Sequence, residues 1–283
     1  MQHVGVVIIG GGLAGLFCAI QLKRQDLEVA LVEKKEYPFH RVCGEYISNE
    51  VTPFLERLGV YPSQFNPPRI NQLHISSVGG HQATMELPLG GFGISRYQFD
   101  HFLYQYARDL GVQFITRKSV QSVDFKKGQF EITLNDQQKL QSTITIGAFG
   151  KRSVLDKSLA RPFMKKRSPY LAVKHHAKGQ FPSNRISLHN FPGGYAGLST
   201  VEDEKLNLCY LAPREALKEL GSIEQLEARL LSKNPFLKQA LNDLEFQFEQ
   251  PLVINEVSFA SKLPVEGHIL MCGDAAGMIT PLC

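Results

Sequence analysis

The chain of 283 residues contains no tryptophan, and its five cysteines form no C-x-x-C pair. An odd number of thiols without that spacing argues against a disulfide framework or a zinc ribbon and points to a reducing compartment, the cytoplasm. The nine histidines include no H-x-x-x-H. His175 and His176 are adjacent, so on a strand they point to opposite faces, and no metal is expected. Excess charge is scarce too: the formal net charge of +4 leaves no footprint for nucleic acid. The run Lys165, Lys166 and Arg167 reads as a solvated loop, with peripheral membrane contact as the alternative. No apolar stretch approaches the roughly 18 residues of a membrane span. The chain starts directly in an apolar strand with no basic leader, so no secretory signal is expected.

What the sequence does have, close to its start, is "VVIIGGGLAGLFCAI", residues 6–20. It reads as a buried strand from Val4 to Ile9, then Gly10, Gly12 and Gly15 in G-x-G-x-x-G spacing, with Leu13 and Ala14 opening an apolar helix that runs to about Gln25. Gly10 allows the tight turn out of the strand, Gly12 lets the backbone approach a pyrophosphate, and Gly15 lets helix and strand pack closely. An anion would lie on the helix N-terminus, where unpaired N–H groups and the helix dipole favour it. The next apolar run, "EVALVEKK", carries Glu33 and Lys34 at its end, and Glu33 lies eighteen residues after Gly15. A carboxylate there accepts hydrogen bonds from a ribose diol and repels a 2′-phosphate. The alternative is a βαβ unit that binds nothing.

The rest of the chain does not alternate strand and helix as a simple nicotinamide-binding half would. Residues 70–88 read as two short strands around the Gly79-Gly80 turn. "ISRYQFDHFLYQYARDL" carries apolar residues at helical spacing, and "VQFIT" follows as a parallel strand. A hairpin turns at Lys127-Gly128, and "LQSTITIGAFG" returns to a buried strand. Residues 170–211 read as several antiparallel strands, residues 213–242 as helices, and "GHILMCGDAAG" as a last strand entering a helix. The fold class expected is α/β: a Rossmann-like nucleotide-binding domain with a parallel sheet, discontinuous over residues 1–70, 96–160 and 262–283. A mainly antiparallel β-sheet substrate domain, residues 71–95 and 161–261, is inserted between these pieces.

With Gly10 to Gly15, Glu33, "RVCGEYIS", "GISRYQFDHFL", "GAFGKRS" and "GDAAG" in this order, the sequence resembles the flavoprotein monooxygenase and geranylgeranyl reductase superfamily. Its members share the FAD fold of para-hydroxybenzoate hydroxylase. The resemblance covers essentially the whole chain, and "CGE" together with "FPGGYAG" looks most like the geranylgeranyl reductase branch. It implies FAD as the cofactor, held at Gly10, Gly12, Leu13, Ala14, Gly15, Glu33, Lys34, Arg41, Arg96, Gly273, Asp274 and Gly277. Asp274 would hydrogen-bond the ribityl chain or serve as an ordinary helix N-cap. Cys43 would face the substrate or pack as a small buried residue. Glu45 would donate a proton or pair with Arg41. NADH or NADPH, if used, binds transiently, because no second G-x-G-x-x-G is present.

Two departures stand out. Phe149 precedes Gly150 where the hydroxylase branch carries an aspartate. In the resembling family a glycine-rich loop against the isoalloxazine and a helical C-terminal region follow the position of Cys283, so the chain is expected to be either a fragment or a shortened member. Three functions are therefore expected in order: reduction of C=C bonds in an apolar substrate, hydroxylation of an aromatic or polyene substrate, or FAD binding without turnover. Halogenation ranks below these, because its associated motif contains tryptophan.

Overall fold

A computed structural model describes residues 2–165 and 167–278. Lys166 of the basic run and residues 279–283 of the third nucleotide-binding piece lie outside them. The chain opens with β1 (Gln2–Ile9), α1 (Leu13–Lys23), β2 (Val29–Glu33), β3 (Tyr46–Ser48), α2 (Thr52–Arg57), β4 (Arg69–Ser76), β5 (Gln82–Gly93) and α3 (Arg96–Asp109). It continues with β6 (Gln113–Thr116), β7 (Val120–Lys126), β8 (Gln129–Leu134), β9 (Lys139–Gly147), α4 (Val154–Ser158), β10 (Tyr170–Lys178), β11 (Arg185–Phe191) and β12 (Gly194–Thr200). The remaining elements are β13 (Leu206–Pro213), α5 (Arg214–Leu220), α6 (Ile223–Arg229), α7 (Pro235–Asp243), β14 (Glu245–Phe246), β15 (Leu252–Ile254), β16 (Val265–Glu266) and β17 (Ile269–Met271).

These elements group into two compact units. The first comprises residues 1–39, 100–168 and 258–283. Its sheet runs β16-β17-β9-β1-β2-β6, with the β7-β8 hairpin added on β9. Pairing is parallel from β17 to β6, with Val6 opposite Val29 and Ile144. β2 is buried at every residue, as expected of a central parallel strand covered on both faces. Val7, Ile9, Ala30, Val32, Ile132 and Leu140 form its core. On the edge away from β1, β9 pairs with β8 near Leu140 and with β17 near Gly147.

The second unit comprises residues 40–99 and 169–257. Its sheet runs β14-β10-β13-β12-β11-β4-β5-β3, with β15 also on β10. Pairing is antiparallel except between β4 and β11, which run parallel with Leu73 opposite Ile186. One face is covered by helices: Leu226, Leu231 and Leu237 pack with Leu171, Val173, Leu198 and Tyr210.

Three expectations differ from this architecture. Residues 40–70, assigned by sequence to the nucleotide-binding domain, group with the second unit, because Tyr46, Ile47 and Ser48 pair with Gly93, Phe92 and Gly91 of β5. Residues 96–99 fall there as well, and residues 161–168 fall in the first unit. The helix expected after Gly273 is a single 3₁₀ turn, Gly273–Ala275, within the described residues.

Candidate functional site

In the first unit the glycine turn is built by close contacts that only glycine permits. Gly10 has φ +107, and a Cβ there would lie 2.4 Å from the Ala148 carbonyl oxygen. A Cβ on Gly15 would lie 2.0 Å from the Gly10 carbonyl oxygen, so helix α1 starts hard against the end of β1. Gly12 is the N-cap of α1, with no side-chain cap and no acidic residue in the first turn. No side chain of the helix's own first turn caps or neutralises its N-terminus. Leu13 and Ala14 are half-buried in that turn.

Glu33 and Tyr37 hold this turn in place. The Gly11 N–H donates to Glu33 Oε2 at 2.8 Å, and the Lys35 N–H donates to Oε1 at 3.0 Å. The Tyr37 hydroxyl donates to the Gly11 carbonyl at 2.6 Å, and its ring stacks on Tyr104 at 4.4 Å. Glu33 is thus a buried organiser of the loop, and a carboxylate keeps acceptor capacity beyond two N–H donors. Lys34 is exposed. Tyr37 carried no motif signal and was not anticipated.

The second strand-to-turn segment packs on the same helix start. Gly273 has φ +60, and a Cβ on it would lie 2.6 Å from Ala14 Cβ. Asp274 sits inside the 3₁₀ turn, whose N-cap is Cys272, so the N-cap alternative for Asp274 does not hold. Gly277 is exposed. Two cations from elsewhere in the chain hold this turn by its carbonyls: Lys262 Nζ donates to Asp274 O at 2.7 Å, and Arg161 Nη1 donates to Ala275 O at 2.9 Å. Arg161 is fully buried and also bonds Asp156 at 2.8 Å. Burial, ahead of the neighbouring Arg161 charge, lowers the Lys262 pKa. Sequence reading missed both cations, because no local pattern links residues 156, 161, 262 and 275. Phe149, standing where an aspartate was the family pattern, packs against the apolar core.

In the second unit the "CGE" segment meets β10. The Asn207 amide nitrogen donates to the carbonyls of Cys43 at 3.1 Å and Gly44 at 2.8 Å. Cys43 is half-buried. Glu45 is buried, in the left-handed region at φ +57, a conformation that costs a non-glycine residue on the order of 1 kcal/mol or more. Its carboxylate is bonded by the Lys174 ammonium, by His176 Nε2 at 2.7 Å and by the Arg96 N–H at 2.7 Å. Sequence reading did not name Lys174 and His176 as partners of Glu45; Arg41 is half-buried. Arg96, expected as a cofactor contact, meets Glu45 through its main chain. Burial pushes the Glu45 pKa up, but the His176 hydrogen bond and the Lys174 charge outweigh it and hold the carboxyl below its usual range.

Strand alternation explains why β10 delivers this pair. Lys174 and His176 project to the Glu45 side, while His175 projects to the helix side and bonds Glu227 at 2.8 Å. His176 also lines a cavity of about 210 Å³ together with His40, Tyr97, Gln98, Lys205 and Phe248. Burial, then the His176 and Lys174 charges, lower the His40 pKa to about 4.

Comparison with known proteins places this geometry. Residues 5–40 match the FAD binding domain family. The chain superposes on CmlS, a flavin-dependent halogenase, with a TM-score of 0.84 and 20% identity, over 100% of this chain and 55% of that one. The fold is that of the FAD-dependent flavoproteins. Among curated relatives, the conditioned medium factor receptor 1 of Dictyostelium discoideum is 22% identical, over 98% of this chain and 59% of its own length. The menaquinone reductase of Mycobacterium tuberculosis is 25% identical, over 55% of this chain and 40% of its own length. The chain thus spans about half the length of the curated relatives it matches. Among the described residues no helix is long and apolar enough to cross a membrane. The solved structures share the fold, and the family match is confined to residues 5–40.

Proposed function

We propose that the chain binds FAD and belongs to an oxidoreductase that reduces C=C bonds of an apolar organic substrate in the manner of a geranylgeranyl reductase. The observation that carries the cofactor is the uncapped N-terminus of α1, seated on a glycine turn that Glu33 and Tyr37 fix. Such a turn fits a pyrophosphate: the first turn of α1 carries no side-chain cap, and a buried carboxylate is placed for a ribose. Gly10, Gly12, Leu13, Ala14, Gly15, Glu33, Gly273, Asp274 and Gly277 would hold the dinucleotide. Lys34, Arg41 and Arg96 would contact it from the segments that follow β2 and β5. FAD, when bound, supplies hydride transfer, and NADH or NADPH is the reductant in this reading. Cys43 and Glu45 belong to the substrate side.

A second reading, oxygen-dependent hydroxylation, draws on the likeness in fold to a flavin-dependent halogenase. The test is sequential. FAD retained at one equivalent after desalting, and lost in a folded Gly12→Val variant, supports the cofactor assignment; unchanged FAD affinity in that variant overturns the placement. Product formed anaerobically supports reduction, whereas product formed only with oxygen consumed alongside it selects hydroxylation.

A further inference from the structure

Three loops meet at the carboxyl ends of the parallel strands in the first unit, the edge at which ligands bind in such sheets. They are the glycine turn after β1, the segment 148–152 after β9 and the turn 272–277 after β17. Two of the three junctions are close backbone contacts: Gly10 sits against Ala148, and Gly273 against Ala14, each too tightly for a Cβ. The third junction is made differently. Beyond the ladder bond from the Cys272 N–H to the Gly147 carbonyl at 2.9 Å, a side chain spans it. Lys262 Nζ donates to the Lys151 carbonyl at 2.8 Å and to the Asp274 carbonyl at 2.7 Å.

An ammonium carries its charge on a compact head with three donors. Two of them reach these carbonyls, and the charge lies 4.5 Å from the centroid of the buried Phe163 ring, within cation–π range. Asp156, Arg161, Asp274 and Lys151 are the charged groups that act on it. Asp156 is already paired with Arg161, so Lys262 is the cation that offsets Asp274. We propose that Lys262 is a positioning residue for FAD: its ammonium ties the turn 273–276 to the loop after β9 and so fixes the Asp274 carboxylate where the cofactor would meet it. The inference rests on the FAD reading. Lys262 touches no reacting atom and acts through Asp274, and its charge lowers the repulsion between that carboxylate and an anionic cofactor. It lies outside every motif read from the sequence, which is why spacing did not single it out.

The test measures the FAD dissociation constant by equilibrium dialysis, with each variant of the full chain shown to be folded by circular dichroism. Lys262→Met keeps the stem and removes charge and donors, and affinity about tenfold weaker is expected, the worth of a hydrogen bond to a charged group. Lys262→Arg, which keeps charge and donors, recovers most of that loss. Lys262→Gln, which keeps donors without the charge, is the second variant should the methionine not fold, and it too binds more weakly. A readout without FAD separates positioning from general stability. The N–H groups of Ala276 and Gly277 bond the Gly273 carbonyl at 2.8 and 3.2 Å. Their hydrogen exchange is expected to quicken about tenfold in Lys262→Met, while the buried Leu16, Ala19 and Ile20 of α1 exchange as before. A folded Lys262→Met or Lys262→Gln chain that binds FAD as tightly as the unaltered one overturns the proposal and leaves the FAD reading standing. Exchange that quickens equally in α1 and in the turn overturns it as well, since Lys262 would then serve stability alone. An unaltered chain that takes up no FAD overturns the cofactor reading and this proposal together.

Discussion

Arg161 shows how much a single residue can decide without leaving a trace in any motif. Its guanidinium is fully buried, bonded to Asp156 and to the carbonyls of Leu263 and Ala275. Replacing it with methionine strands a carboxylate that is itself fully buried. Breaking one side of such a pair costs about 3–5 kcal/mol, because the remaining buried charge loses its counter-ion and keeps only the Ser153 N–H as a donor among the described residues. Arg161→Met is expected to lower the unfolding free energy, measured by urea titration, by that amount. Arg161→Met combined with Asp156→Leu recovers part of it; a double variant no more stable than the single would show that the lost carbonyl contacts dominate. Gly15 is the opposite case, fully legible from spacing. Its role as a close-contact residue was anticipated, and the 2.0 Å approach of a Cβ to the Gly10 oxygen is the reason the spacing exists.

At the scale of elements, legibility followed periodicity and punctuation. The strand, glycine turn and helix of residues 2–23, the hairpin at Lys127-Gly128 and helix α3 were readable, because each combines a repeat with a turn signal. The partners of an element were not. Nothing local announces that β4 pairs in parallel with β11, or that β10 turns Lys174 and His176 toward Glu45, since register is set by residues more than a hundred positions away. Helix α7 illustrates a readable start with unreadable consequences. Asn234 before Pro235 is an N-cap signal, and its Oδ1 accepts from the N–H groups of Phe236 at 2.9 Å and Leu237 at 3.3 Å. Its Nδ2 also donates to Ser76 Oγ and to Asn190 O, both at 2.9 Å. Cap and tie are lost together in Asn234→Ala, with Ser76 and Asn190 left short of a donor. A loss of about 2 kcal/mol is expected by denaturant titration, at the upper end for a capping residue; a loss of a few tenths would show that water replaces the tie.

At the scale of the molecule, the two-part organisation was readable from the order of motifs, but the division at residues 39–40 was not. Sequence reading ended the first nucleotide-binding piece near residue 70, because no turn or compositional break separates "EKKEYPF" from "HRVCGEYIS". The pairing of β3 with β5 is what moves that segment. The division has a consequence for acid stability. His40 and His189 both lie in the second unit, and both have pKa values lowered from 6.5 to about 4. For His189 the causes are burial, then the charges of His74 and Arg185. Such a group is neutral in the fold and takes up a proton in the unfolded chain, so the unfolded state binds more protons between pH 6.5 and 4. Stability present above pH 6.5 is therefore lost as pH falls through that window and levels off below it. Glu45, held ionised below its usual range, loses its contribution in the same direction at the acid end. His189 alone accounts for on the order of 3 kcal/mol. His189→Asn, which keeps a group able to bond Ser76 Oγ, is expected to flatten the fall in denaturation midpoint between about pH 7 and about pH 4. A variant whose midpoint falls as steeply as that of the unaltered chain would assign the acid sensitivity to His40 and Glu45 instead.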